Sequence, residues 1–585
     1  MSRFLGRAAA PSVVLLALAS SAIGIVNGFT YDDVYVVEEN PLMKYLHGWW
    51  HVFRLSYWPK SAGGDGYRPL TILAFRIEAA LGHLNPMVFH AVNIALYAAA
   101  ALLVFALARR LLPLWAAWVT AALFAAHPVH VEAVANVVGQ SELWVAVALL
   151  GATLLYLHDR MQGALRTSSA LWILLLYAIA CFAKEHGIVL PAILVAAEFT
   201  VIGESSPLVE RARRLRPFYL GMLAVALGFL AVRGAVLADH SLGGFAPFTP
   251  FAVLHITPAD RVLTAVGVVP EWLRLFFWPA RLSADYGPPD VDIAQGVSVV
   301  QLPGLLLLIA IVASAFLLRR RQPVMSFGIA FACFALLPSS NFLLPAGIIV
   351  AERTMFLASA GAMLFIGALA VEVRRQVAGS RARIRAWTIA APVTCAALLG
   401  LGGVRSWNRT RVWHDNETLF RQSVVDSPRS YRAYFLLGTW DVHHERKRLG
   451  ESELRHGMRL FPYDPYMAFN LAEAYREGGM CAAALPLYRW SREIEPNVNG
   501  RTEYAWCLMN QAQYSESKQM ALEAVRAGGR VSLLHQIIAY DDAAMASARG
   551  RDPTGKRPVT QVGAPPSKLP DTVQKAAGKA GGQSP

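Results

Sequence analysis

Eleven apolar blocks, each close to the length of a bilayer-spanning helix, constrain this chain more than any other feature. They run over 9–27, 87–107, 112–126, 137–157, 169–183, 186–203, 217–238, 299–318, 324–343, 347–371 and 386–404. A helix needs roughly 20 apolar residues to cross a bilayer, so most of these can span; 112–126 and 169–183 are short and read as partly buried in a bundle. Only 16% of the 585 residues are charged, against about 25% in soluble domains. The deficit stops near Gly403, beyond which charge rises and long apolar runs vanish. A membrane part, 1–404, followed by a soluble part, 405–548, is therefore expected.

The net charge of +14 is distributed in a way that argues against nucleic acid. Arginines cluster in short loops between the blocks, at Arg109–Arg110, Arg211–Arg216, Arg319–Arg321 and Arg374–Arg385, as cytoplasmic anchors do. With the N-terminus placed in the cytoplasm, alternation puts every one of these clusters inside. It puts 28–86, 127–137, 239–298 and the soluble part outside. This count requires 262–279, with Arg261, Glu271 and Arg274 in or beside it, to be an interfacial or re-entrant helix rather than a crossing one. The first block has a basic start and small residues after it, as a signal peptide does, but it continues apolar to Phe29 and is read as a retained helix.

Prolines end helices at Pro428, Pro462 and Pro496. The spacings, 462 − 428 and 496 − 462, are both 34 residues, the period of tetratricopeptide repeats. About three repeats over 430–530 are expected, offering a concave face to a peptide or protein. The tail 549–585, rich in Gly, Pro, Lys, Ala and Ser, is expected to be disordered. The five cysteines are scattered without metal spacing; Cys481 and Cys507 can pair only if folding brings them close.

Five polar clusters interrupt the apolar pattern at outer helix ends: Tyr31-Asp32-Asp33, with Arg68 closing the loop that follows; His127, His130 and Glu132, running on to Glu142; Lys184-Glu185-His186; Asp260-Arg261 with Asp285-Tyr286; and Asn341 with Glu352-Arg353. Ionisable residues at such depth usually face a cavity or one another. Lys184 with Glu185, and Glu352 with Arg353, are candidate ion pairs that merely stitch helices. His127 and His130 bring two imidazoles near Glu132, but no further ligand accompanies them. No cofactor is assigned, and a divalent metal stays open. All five clusters fall on one face, where cations can hold a phosphate and a carboxylate can take a proton from an attacking hydroxyl.

The stretches YDDVYVVEENP, YRPLT, HPVHVEAVANVVGQSEL, FAKEHGIVLP, SNFLLPAGIIVAERTMFLASAG, WNRT and WHDNETLF occur in this order before the repeats. In this the chain resembles the transmembrane and tetratricopeptide-repeat O-mannosyltransferase family. The resemblance implies an all-α fold, a polytopic helix bundle of glycosyltransferase C type followed by a tetratricopeptide α-solenoid. It implies transfer, with inversion, of a mannose-like sugar from a polyprenyl phosphate to a protein hydroxyl outside the cytoplasm. The acidic pair Asp32 and Asp33 would then be catalytic, one of them the general base, with Asp33 preferred. Lys184 and Arg353, backed by Arg68 and Arg261, would bind donor phosphate, and His127, His130, Glu132, Glu185 and Glu352 would line the site. High Ala and Arg content suggests a bacterial member, placed in the inner membrane with periplasmic repeats; a eukaryotic one would carry luminal repeats in the endoplasmic reticulum. A non-catalytic scaffold recruiting envelope assembly partners, and a polymerase, ligase or transporter of lipid-linked glycans, are the competing readings. A reporter fused after Pro496 tests the orientation: activity is expected outside the cytoplasm, and a cytoplasmic signal overturns it.

Overall fold

The computed structural model describes residues 2–59, 65–203, 206–238, 249–494, 500–526 and 531–549. Pro496, part of the outer segment 239–298, and all of the tail expectation except Arg549 lie outside these residues. Among the described residues the secondary structure is helical, without strands. Contacts divide the chain into two compact units, the first carrying most of the sequence up to Ser427, the second Thr249–His255, Gly287–Asp290 and the chain from Pro428.

In the first unit seven helices are long and apolar enough to cross a membrane: Ala8–Val26, Pro86–Leu111, Val137–Arg160, Val209–Val236, Val299–Leu318, Glu352–Val377 and Arg381–Val412. Leu114–Ala125 with Pro128–Ala135 makes an eighth if that pair, bent by 48°, is one span. Outward apolar side chains point to a lipid surround. On Val299–Leu318, Leu306, Ile309, Val312 and Leu317 are exposed, and on the last helix so are Ile389, Val393, Leu401 and Val404. Water would not tolerate such stripes. The chain is an integral membrane protein.

Several expected blocks are shorter than the bilayer. The 186–203 block yields only the helix Leu190–Phe199, and 169–183 yields Thr167–Ala183. The block at 324–343 ends as a regular helix at Leu336, and that at 347–371 starts only at Met355. Pro338 explains the early end at Leu336, since proline cannot continue a helix. An irregular segment, with Asn341 in the left-handed region at φ 62°, joins them. The segment 262–279 is two short helices, Pro258–Gly267 and Val269–Phe277. At 1.5 Å per residue neither reaches across a core of about 30 Å. The first helix is built into the bundle: Ser20 donates to the Ala125 carbonyl (2.8 Å) and Trp118 donates to Ser12 (2.9 Å).

At one end of this bundle Arg160, Arg211 and Glu198 form a nearly closed ion cluster, with Arg160 at 2.7 Å and Arg211 at 3.1 Å from the carboxylate. It ties together the ends of three helices whose connections the alternation places in the cytoplasm.

The expected division at residue 404 falls inside the helix Arg381–Val412, and the helix Asn416–Asp426 stays with the first unit. The second unit is a run of helical hairpins. Its first helices, Tyr431–His443 and Pro465–Glu477, start 34 residues apart (465 − 431), as do their partners Lys447–Leu460 and Cys481–Ile494 (481 − 447). Arg501–Asn510, Tyr514–Arg526 and Val531–Arg549 complete it. Tyr431, Phe435, Leu454, Met467, Phe469 and Tyr488 belong to one continuous core. Gly438 and Gly450 face each other so closely that a Cβ on either would press into the other's carbonyl.

Cys481 and Cys507 form a disulfide, 26 residues apart in sequence. Closing a loop of this length stabilises a fold by about 3–4 kcal/mol in the chain-entropy estimate. In the full chain, both thiols are expected to resist alkylation until reduced, and Cys507→Ser is expected to lower the resistance of the repeats to proteolysis. Prompt alkylation of both without reductant contradicts this.

Candidate active site

The polar clusters read from the sequence come together at one end of the first unit. Their pairing differs from the sequence expectation. Lys184 and Glu185 do not pair with each other, nor do Glu352 and Arg353. Lys184 donates to Glu142, whose second oxygen lies 3.0 Å from His186 Nε2. Glu185 instead takes Arg68 Nε at 3.0 Å and the Tyr67 amide at 2.9 Å. Arg353 reaches Glu132 at 3.1 Å and Asp32 at 3.2 Å, and its amide donates to Glu132 at 2.9 Å. Glu352 accepts from the Tyr286 hydroxyl and the Ser283 amide, both at 2.6 Å. The physical reason is local geometry. Lys184 is extended and Glu185 opens a tight helical turn, so adjacent side chains diverge toward different helices.

Two glycines let the backbone form these turns. A Cβ at Gly139 would run into the Ala133 carbonyl, and one at Gly187 into the backbone of Ala180. Gly139 closes the turn whose amides at Val137 and Val138 face Asp33. Gly187 closes the turn that separates Lys184 from Glu185.

The acidic pair is divided by its surroundings. Asp33 is wholly buried, and its carboxylate accepts from Val138 (2.8 Å), Val137 (3.0 Å) and Thr30 (3.3 Å). Burial pushes its pKa up to about 7 against these donors. Asp32 remains partly open, with 16% of its side chain exposed, facing Arg353. Burial pulls the Lys184 ammonium down to about 8 although Glu142 faces it, and the positive charges of Arg68 and Arg353 add to the effect. Burial alone would raise Glu185, but Arg68 and the Tyr67 amide outweigh it and hold the carboxyl at about 2. Arg68 also lies 4.5 Å from the centre of the Tyr57 ring.

His127 and His130 use all four ring nitrogens in hydrogen bonds. His127 pairs with the Phe276 carbonyl (2.9 Å) and the Val129 amide (3.3 Å), and His130 with Ser359 (2.7 Å) and Tyr97 (3.2 Å). Among the described residues no group of three His, Cys, Asp or Glu side chains is arranged to hold a metal. Arg261 turns to the carbonyls of Asn341 and Leu343 instead of to a carboxylate of this cluster. Sequence reading named Tyr286 within a polar cluster but gave it no role of its own and passed over Tyr57; Asn416 lay in the quoted stretch WHDNETLF, where nothing distinguished it from its neighbours.

A multi-helix membrane bundle with a buried acid–base cluster at one helix end, followed by helical repeats, defines the class. No family model matches the chain. It is similar to protein O-mannosyl-transferases: TMTC4 of Homo sapiens is 27% identical over 485 residues, covering 73% of this chain and 62% of that protein. TMTC1 of Homo sapiens is 25% identical over 526 residues, with 81% and 58% covered, and Tmtc3 of Drosophila melanogaster is 26% identical, with 70% and 50% covered. The chain thus spans only about half to three-fifths of the length of these relatives. A solved structure, the archaeal oligosaccharyltransferase AglB from Archaeoglobus fulgidus with an inhibitory peptide and a dolichol-phosphate, covers 79% of this chain and 60% of that one. Its TM-score is 0.38 and its identity 15%, a likeness too loose to argue from.

Breaking a buried ion pair on one side costs about 3–5 kcal/mol. Arg353→Met, which strands Glu132 at 1% exposure, is expected to lower the thermal unfolding midpoint clearly. Adding Glu132→Gln is expected to recover part of the loss, and equal melting of wild type and Arg353→Met contradicts the pairing.

Proposed function

We propose that this protein is a membrane glycosyltransferase that moves a mannose-like sugar from a polyprenyl phosphate to a protein hydroxyl on the non-cytoplasmic side. The observation that carries the reading is Asp32: a partly open carboxylate paired with the partly open Arg353, at the same end of the bundle as Lys184 and Arg68. Arg353 faces the Asp32 carboxylate at 3.2 Å, and a neighbouring opposite charge favours the ionised form of a carboxyl group. An ionised carboxylate can take the proton of a hydroxyl as its oxygen bonds to the sugar carbon. The sequence preference for Asp33 gives way here, because the carboxylate of Asp33 is enclosed and already accepts three amides. Asp33 orients the turn and Asp32 is the base.

Lys184, Arg68 and Arg353 are the proposed phosphate-binding cations, since guanidinium and ammonium groups hold phosphate oxygens well. Arg261 plays no part in this proposal. A lipid-borne donor is supported by a cavity of about 560 Å³ lined by Trp272, Phe276, Leu308, Ile311, Ile329 and Phe365. It is almost wholly apolar, as a polyprenyl chain requires, and the Phe276 carbonyl is the partner of His127. The relatives' names support mannose as the sugar and a protein as the acceptor. The repeats would present the acceptor, and their disulfide supports an oxidising, non-cytoplasmic compartment.

The purified full chain, given polyprenyl-phosphate mannose and a Ser/Thr-rich peptide, is expected to transfer the sugar. General base catalysis contributes about 10²–10⁴ in rate, so Asp32→Asn is expected to lose turnover on that scale while still binding donor. Turnover close to wild type in Asp32→Asn sinks the mechanism, and absence of transfer by the wild type favours a scaffold.

A further inference from the structure

The loop that carries Asp32 and Asp33 is gripped on two sides. On one side the Asp33 carboxylate is bonded to the amides of Val137 and Val138. On the other the chain leaving the last membrane helix runs alongside it. Asn27 donates to the Thr410 carbonyl at 3.1 Å, and the Gly28 amide donates to the His414 carbonyl at 2.9 Å. The Tyr31 amide donates to the Asn416 side-chain oxygen at 2.7 Å, and the Tyr31 ring meets Phe420 edge-on at 6.4 Å. Tyr31 itself sits in the left-handed region, at φ 55°. A side-chain-bearing residue rarely holds that conformation unless its surroundings enforce it, and such outliers concentrate at functional sites.

We propose that Asn416 is a positioning residue that holds the left-handed turn at Tyr31 and so sets the aim of the Asp32 carboxylate at Arg353; this rests on the catalytic reading given above. The turn could otherwise relax to an ordinary φ, which would rotate the next peptide and carry Asp32 off the 3.2 Å contact with Arg353. The Asn416 oxygen fixes the peptide that enters Tyr31, and Phe420 meets the Tyr31 ring on the other side of the N–Cα bond, so the two contacts together set the φ rotation between them. Its own helix does not need it as a cap. Asp415 is the residue that accepts the Thr418 amide at 2.8 Å to start Asn416–Asp426. Asn416 is only half-buried, so its replacement leaves the core intact. The same short helix is the last element of the membrane unit before Ser427, so the chain that leads to the repeats passes through the residue that aims the base.

The test uses the full chain with polyprenyl-phosphate mannose and the Ser/Thr-rich peptide. Misplacement of a reacting group by about 1 Å can cost about 10²-fold, so Asn416→Leu is expected to lower kcat by about 10–100-fold while the donor KM stays close to wild type. Asn416→Asp keeps an oxygen acceptor for the Tyr31 amide and is expected to restore most of the turnover. In an Asp32→Asn background Asn416→Leu is expected to cause no further loss, because there is no longer a base to aim. Wild-type kcat in Asn416→Leu while Asp32→Asn is inactive overturns the positioning role and leaves the catalytic reading standing. So does a loss in Asn416→Leu that comes with weaker donor binding, lower thermal stability and no rescue by Asp. Full activity in Asp32→Asn removes the catalytic reading and the positioning role together.

Discussion

A single guanidinium holds together the polar end of the membrane bundle. Arg353 stands at the start of the helix that runs on to Val377, and it meets one carboxylate from the segment after the first membrane helix and another from the bent helix pair. Glu132 is only 1% exposed, where an unpaired charge would be very costly, and the partly open Arg353 meets it with its guanidinium at 3.1 Å and its amide at 2.9 Å. The pairing is therefore mutual and stiff. It fixes where the outer loop can lie, because Asp32 must come to Arg353, and the buried Asp33 then falls against the amides of Val137 and Val138.

The second ionic node follows the same logic with different groups. Glu142 collects Lys184 and His186, and Glu185 collects Arg68. Three helices and the loop that ends at Arg68 are thereby joined through two carboxylates, of which Glu142 is almost wholly buried and Glu185 partly open. Two glycine turns make the arrangement sterically feasible. What results is a patch in which negative charge is matched closely, while the cations Lys184, Arg68 and Arg353 stay near one another. Burial is the main cause that lowers the Lys184 ammonium, and repulsion by Arg68 and Arg353 adds to it. An anionic group among them would relieve that repulsion, in keeping with the phosphate proposed above.

Away from this end the bundle is ordinary in its physics. Helices with apolar side chains on the outside rely on lipid for their solvent. The opposite end is closed by the Arg160–Glu198–Arg211 cluster, a structural counterpart to the polar site. The repeats depend on a different economy of contacts, with small residues at helix crossings and aromatic residues filling the space between, and with a disulfide closing the second hairpin onto the helix that follows it.

Apolar block length, arginine clustering and the 34-residue proline spacing were enough to establish a membrane bundle followed by helical hairpins, because each reports a local requirement: bilayer thickness, interfacial charge and a repeated helix break. The polar residues that matter were also visible, since charges inside apolar sequence stand out. Their partners were not. Neighbours in sequence, Lys184 with Glu185 and Glu352 with Arg353, look like pairs on paper, yet tight turns send them to different segments of the chain. The enclosed state of Asp33 and the open state of Asp32 were equally invisible, because burial is decided by a turn more than a hundred residues later in the chain. So was the left-handed Tyr31, held by Asn416 from the far end of the membrane unit. Sequence alone determined which residues must be buried and which must be charged; only the tertiary structure decided who neutralises whom, because a buried charge takes the nearest partner in space, and in a helix bundle that partner comes from another helix.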